Sequence, residues 1–308
     1  MHRLRFVLAW TFVAAAHASD PTDAAALGGK LFFDPILSAD RTVSCASCHK
    51  PEYAFADNAK VSLGLHGQPG TRNTPSAMNV SGRLAFFWDE RAGSLEEQAL
   101  APIANPAEMG LPVDEAVARL NADEIYRRAF ATIFEGPATE KNLARALAEF
   151  ERTLETADTP YDRYIAGDDS ALSPEAARGR LLFIGKANCA NCHSGEDFTA
   201  DRPKSIGLYN AKELNDPGRG GVTQNPEHMG LFKTPSLRNV AVTAPYMHNG
   251  MFTTLREVVD YYNHPDRVVA HSINRDKALD TPLNLTDTEI HELVAFLESL
   301  TDDRFVKR

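Results

Sequence analysis

All four cysteines of this 308-residue chain stand in two short stretches, Ser44-Cys45-Ala46-Ser47-Cys48-His49 and Asn188-Cys189-Ala190-Asn191-Cys192-His193. In each, two residues separate the thiols and an imidazole follows at once. A thiol pair at this spacing serves four kinds of chemistry. It can close a disulfide in an exported protein, or cycle as a thioredoxin-like redox pair. Two such pairs can hold structural zinc when they lie about 15–20 residues apart, but Cys45 and Cys189 stand much farther apart. Lastly, C-x-x-C-H is the attachment site of c-type haem: two thioethers anchor the porphyrin and the next residue brings an imidazole to the iron. Only this reading uses His49 and His193 together with Cys45, Cys48, Cys189 and Cys192. Two covalently bound c-type haems are therefore expected, with His49 and His193 as proximal iron ligands.

The elements that must position these loops are mostly helices. "LGGKLFFDP" (Leu27 to Pro35) precedes the first motif and "ARGRLLFIG" (Ala177 to Gly185) the second, each reading as a short amphipathic helix and together as a weak internal repeat. Asp114 to Phe134 and Glu140 to Leu154 read as helices, the latter with Leu143, Leu147, Phe150 and Leu154 at helical spacing. Ser173 is an expected N-cap with Pro174 at the first helical position. Thr254 and Thr286, each three residues before a glutamate, open two further helices, the first stopping before Pro265. Asp57 to Arg83 and Thr199 to Gly250 are rich in Gly, Pro and Asn and read as ordered loops around cofactors.

The length suggests about two domains. Residues 1–18 read as a signal peptide: a basic start, an apolar run from Phe6 too short to span a bilayer, and Ala16-His17-Ala18 as cleavage site. The rest divides into 19–166 and 167–308. Export to the periplasm without stable membrane insertion is expected; the alternative is that the apolar start is a membrane anchor. The formal net charge of −10 argues against nucleic acid and mildly for a cationic partner.

Four stretches, "LFFDPILSADRTVSCASCHKPEYAFAD", "RNTPSAMNV", "FFWDERAGSLEEQALAPIANPAEMG" and "FKTPSLRNVAVTAPYMHNGMFTTLREVVDYY", together resemble the bacterial di-haem cytochrome c peroxidases, a family that includes the MauG-like enzymes. The resemblance covers nearly all of the chain after the leader. It implies a mainly α fold of two cytochrome-c-like haem domains packed around a shared interface, with long ordered loops. It also implies a peroxidatic haem in the N-terminal domain and an electron-transfer haem in the C-terminal one. Glu108 then matches the distal glutamate that moves peroxide protons, Gln98 its pocket partner, and Trp88 the tryptophan between the haems. Asn73, with the carbonyls of Thr243 and Pro245, matches an interdomain calcium site. His66 lies near a distal histidine that some members carry and MauG-like members lack, so it is either an axial ligand of the N-terminal iron or a loop histidine. Tyr262, fourteen residues beyond His248, stands where the usual peroxidase has methionine and MauG-like enzymes have an axial tyrosine. The alternative is a core tyrosine, with Met247 or Met251 on the iron.

Read without the resemblance, Glu108 is equally a solvated glutamate, Trp88 a core anchor and Gln98 a surface residue. His228, His264, His271 and His291 read as surface or structural, and His248 takes no definite role. Three functions follow. One is reduction of hydrogen peroxide with electrons from a small cytochrome c or cupredoxin. Another is MauG-like, peroxide-dependent oxidation of a partner protein's side chain through a high-valent di-haem state. The third is a non-catalytic electron carrier, which would not need the acid in "NPAEMG". Family members are often homodimers.

Overall fold

The computed structural model describes residues 21–306. Among the described residues, eleven α-helices are joined by long loops and one short antiparallel ribbon. They are α1 (Ala24–Phe33), α2 (Cys45–Cys48), α3 (Leu95–Ala104), α4 (Val113–Ala122), α5 (Glu124–Phe134), α6 (Glu140–Arg152), α7 (Pro160–Ile165), α8 (Pro174–Ile184), α9 (Arg219–Thr223), α10 (Leu255–Asn263) and α11 (Asp287–Glu298). The ribbon pairs β1 (Pro203–Lys204) with β2 (Phe232–Lys233). Among the described residues no helix is long and apolar enough to cross a membrane.

Local sequence sets the helix ends. Ser173 caps α8 by accepting from Ala176 N, with Pro174 opening the helix. Thr254 and Thr286 form capping boxes with Glu257 and Glu289. The expected single helix from Asp114 to Phe134 is two helices. Asp123 ends α4 in an extended conformation, and its carboxylate accepts from Ile125 N and Tyr126 N to start α5. A short acidic side chain offers backbone N–H groups a partner outside the helix, so the cap wins over continuation.

The core is built twice on one plan. In the first half α1 packs on α6, and Leu27, Leu31, Leu143 and Leu147 are fully buried together with Phe130 of α5. In the second α8 packs on α11 around Phe183, Leu293 and Phe296. Glycine permits both crossings. A Cβ on Gly28 would lie 1.8 Å from Ala146 O, and one on Gly179 would lie 1.9 Å from Glu292 O. An aromatic trio follows each crossing. Phe32, Phe55 and Phe150 have ring centres 5.1–6.4 Å apart, and Phe183, Phe198 and Phe296 have theirs 5.1–6.0 Å apart. Tyr161 of α7 packs edge-on against Phe198 and Phe296 and so extends the second core.

Candidate functional site: two thiol–histidine loops on one cavity

Each C-x-x-C-H segment is a single tight turn that holds its histidine by main-chain bonds. His49 N donates to Cys45 O and His193 N to Cys189 O, both at 2.9 Å. His49 Nδ1 lies 3.0 Å from Phe55 O, and His193 Nδ1 lies 3.0 Å from Phe198 O. A carbonyl only accepts, so Nδ1 carries the proton and Nε2 keeps its lone pair. Burial pushes both imidazoles below their usual range, keeping them neutral as iron ligands must be.

The two accepting carbonyls are themselves held by a repeat that the helical periodicity did not reveal. Thr74-Pro75-Ser76 and Thr234-Pro235-Ser236 are each followed by two variable residues and Asn-Val. Ser76 Oγ donates to Ala54 O at 2.6 Å, and Ser236 Oγ donates to Asp197 O at 2.7 Å. Each serine thus grips the residue just before the carbonyl that orients the histidine.

Both loops open onto one cavity of about 520 Å³. Its wall carries Cys45, Cys48, His49, Cys189, Cys192, His193, Glu108, Gln98, Trp88, Asn73, Thr243, Pro245 and Tyr262. All four thiols are free. Burial pushes Cys45 and Cys189 up to about 12 each, which suits neither a thioredoxin-like thiolate nor a zinc ligand left uncompensated. Among the described residues no cluster of three or more His, Cys, Asp or Glu side chains forms a metal site. The chain fits haem instead. Each loop presents two thiols and one free imidazole nitrogen. The cavity wall is largely apolar but includes Arg72, Arg83, Lys204, Lys233 and Arg238, cations suited to the carboxylates of two porphyrins.

Glu108 projects into this cavity from the turn after α3. Asn105 Nδ2 donates to its carboxylate at 2.7 Å. Burial raises its pKa, and the Asn105 hydrogen bond and the Arg91 charge oppose the rise. Gln98 comes from α3, one face of which lines the same wall. Trp88 Nε1 donates to Asn73 O at 2.8 Å. The Trp88 ring stands edge-on to His248, with centres 6.5 Å apart, and His248 stacks on Phe232 at 3.7 Å. Burial pushes His248 down to about 4, so this column of rings is uncharged at neutral pH.

On α10, Leu255, Val258, Val259 and Tyr262 share the face that lines the cavity, as their spacing requires. Burial raises the Tyr262 phenol far above its ordinary range, and no hydrogen bond to its hydroxyl forms among the described residues. Met247 also lines the wall; Met251 does not. His66 is not brought to the cavity. It takes a left-handed turn, φ 56°, and its side chain is 67% exposed with Asp40 at 3.7 Å. Of the two readings of His66, its placement in this structure is that of a loop histidine. The left-handed turn carries the ring outward, while its neighbour Leu65 packs inward and donates from its N to Glu108 O at 2.8 Å. Residues 1–18, read as the leader, lie outside the described residues.

Two residues near this chemistry escaped the sequence reading. Asn105 was visible only as a polar residue three before Glu108. Glu151 was hidden among the apolar positions of α6.

Comparison with known proteins extends this picture along the whole chain. Residues 22–170 match the family model for di-haem cytochrome c peroxidases and residues 176–301 that for cytochrome c. The chain is 41% identical to the methylamine utilization protein MauG of Methylorubrum extorquens, over 89% of its own length and 77% of that protein's. It is 36% identical to cytochrome c551 peroxidase of Nitrosomonas europaea, over 92% of its length and 81% of that protein's. Among solved structures, a MauG-like protein associated with microbial copper homeostasis superposes with a TM-score of 0.82 at 34% identity, covering 97% of this chain and 99% of that one. Two cytochrome c units imply two c-type haems, as the twin loops require, and a chain so closely related to both peroxidases and MauG belongs to the di-haem cytochrome c peroxidase family of oxidoreductases.

Proposed function

We propose that the N-terminal haem site, at Cys45, Cys48 and His49, reduces hydrogen peroxide to water, and that the C-terminal site, at Cys189, Cys192 and His193, supplies it with electrons from a small soluble redox protein. Bound haem provides the iron on which peroxide is reduced; peroxide takes two electrons and two protons and leaves as two waters. The observation that carries the reading is Glu108, a half-buried carboxyl in the cavity of the first loop, with its pKa raised by burial. Such a group can accept the proton of the inner peroxide oxygen and return it to the outer one. Asn105 fixes the carboxylate for this transfer, and Gln98 stands on the same wall to orient the incoming molecule. With His66 turned outward, that face is left to substrate. The Trp88–His248–Phe232 column, buried at His248 and Phe232, gives an aromatic connection on the wall shared by both loops.

The test is Glu108→Gln in holoprotein that keeps both haems. Its kcat/KM for peroxide should fall about 10²–10⁴-fold, the usual worth of a positioned proton-transfer group. An unchanged rate would discard the proposal.

Tyr262 favours a second reading, oxidation of a partner protein's side chain, because a phenolate ligand holds a haem more readily in its oxidised states. Two further features belong to the proposal. Asn73, with the Thr243 and Pro245 carbonyls, offers neutral oxygens of the kind a calcium ion takes, and a chelator should then lower the melting temperature. The split into 19–166 and 167–308, export with loss of residues 1–18, a cytochrome c or cupredoxin as donor, and a homodimer rest on the resemblance and on the leader-like start. The intact mass of protein released from the periplasm and its light-scattering mass test export and assembly.

A further inference from the structure

We infer that Glu151 is a redox-linked proton site of the N-terminal haem, releasing one proton when that haem is oxidised and recovering it on reduction. The duplicated core isolates this residue. Gly28 faces Ala146 O and Phe150 in the first half, just as Gly179 faces Glu292 O and Phe296 in the second. The position after Phe150 is Glu151, and the position after Phe296 is Leu297. Both line the cavity, and both are nearly buried, at 8% and 7% exposure. Packing at this position is thus satisfied by leucine in one copy. The other copy bears a carboxyl, whose burial without a hydrogen bond costs free energy. No hydrogen bond to the Glu151 side chain forms among the described residues, whereas Glu108 has Asn105.

Its surroundings leave it responsive to the haem. The same wall carries Cys45 of α2, whose thiol is pushed up by burial and then by the Glu151 charge, and the apolar Phe32 of α1. Lys30 of α1 lies instead over the Tyr126 ring. From α3 come the neutral Gln98 and Glu96, the latter engaged with Arg152 at 2.8 Å. Glu108, Arg83 and Arg91 also line the cavity. Burial is the larger influence on Glu151, and the Arg152 charge opposes it. Burial raises the carboxyl to about 8, so it is neutral at pH 7. Oxidation leaves one more positive charge in the same low-dielectric cavity and favours the carboxylate. The balance is simple. One electron leaves for a one-electron oxidant, the chemical mediator of a titration. The Glu151 O–H bond breaks, the proton goes to solvent, and the electron pair stays on the carboxylate. Reduction reverses each step. The inference rests on haem bound at Cys45 and Cys48, not on the peroxide chemistry.

The experiment is a spectroelectrochemical titration of the N-terminal haem in holoprotein at a series of pH values, without peroxide. The ferric-state pKa lies below the ferrous one. The midpoint should therefore fall as pH rises between the two and level off above the ferrous one. The slope between the two pKa values reaches about 59 mV per unit, a tenfold change in the oxidised-to-reduced ratio for one electron. Glu151→Gln, and Glu151→Leu, which copies the residue of the second half, should both be flat over that range. A wild-type slope retained in either variant, or a flat wild-type profile, overturns the proposal. Redox-difference infrared spectra of the unmodified protein give a reading that needs no variant at this position. A carboxylic-acid carbonyl band should be lost on oxidation, and it should survive in Glu108→Gln. Its absence from the unmodified protein, or its disappearance in Glu108→Gln, overturns the assignment to Glu151. Intact peroxidase turnover with a lost slope, or the reverse, separates this failure from that of the peroxide reading.

Discussion

Tyr262 shows how one side chain can set the character of a haem site. Its phenol lies partly buried beside Cys189 and Cys192, with no hydrogen bond among the described residues, and protonation is favoured there in the absence of a cation. A ferric iron would reverse that preference, since a hard phenolate and a trivalent metal compensate each other's charge. Methionine is neutral and soft and favours the reduced state instead. Tyr262→Met should raise the midpoint potential of the C-terminal haem by about 100 mV or more, a modest part of the ~0.8 V that axial ligation spans. Spectroelectrochemistry on the variant checks it, and an unmoved potential would show that Tyr262 does not touch iron. The position was legible in the sequence because Leu255, Val258 and Val259 fix which side of α10 faces inward. His66 was not, because loop residues carry no periodicity and a single left-handed turn decides where the ring goes.

At the scale of elements, the two helix crossings carry both packing and function. A methyl group added at Gly179 would overlap the Glu292 carbonyl, which is backbone and cannot swing aside. The better helix propensity of alanine returns roughly 0.5–1 kcal/mol, while overpacking a tight core costs about 1–3 kcal/mol or more. Gly179→Ala should therefore destabilise the holoprotein by about 1–2 kcal/mol or more, and Gly28→Ala likewise, each visible as a lower denaturation midpoint. A rise in stability would mean that the helices separate freely. Helix ends were readable where a capping residue stood beside an apolar run, as at Ser173, Thr254 and Thr286. The break at Asp123 was not, because that same cap chemistry fell inside a continuous helical pattern. The Thr-Pro-Ser repeat escaped for a different reason: its work is done by serine hydroxyls in loops, where hydrophobic spacing says nothing.

Across the whole molecule, polar links hold the two halves in register around the cavity. Asn79 and Asn239, matched positions of the repeat, both donate to Thr156 Oγ1, at 2.8 and 2.9 Å. Arg72 of the first half forms a fork with Asp216 of the second, at 2.7 and 2.8 Å, and also reaches Asp89 at 2.6 Å. This Arg72 guanidinium lies over Phe232, the ring on which His248 stacks, so the ion pair and the aromatic column share a partner. Removing one member of a buried pair costs about 3–5 kcal/mol, because the other charge stays desolvated. Asp216 keeps a quarter of its side chain in water and Asp89 still engages Arg72, so Asp216→Asn should cost less, about 1–3 kcal/mol at pH 7. Arg72 holds the Asp216 carboxyl below its ordinary range despite burial. A depressed folded-state pKa gives stability that is complete above the unfolded value, here 3.8, and disappears as pH falls through the folded one. The gap between wild type and Asp216→Asn should thus be constant near neutrality and close below about pH 4, as read by denaturant unfolding across pH. If the gap persists in acid, the aspartate acts through packing or through its bond to Gly218 N, and the register of the halves depends on other links.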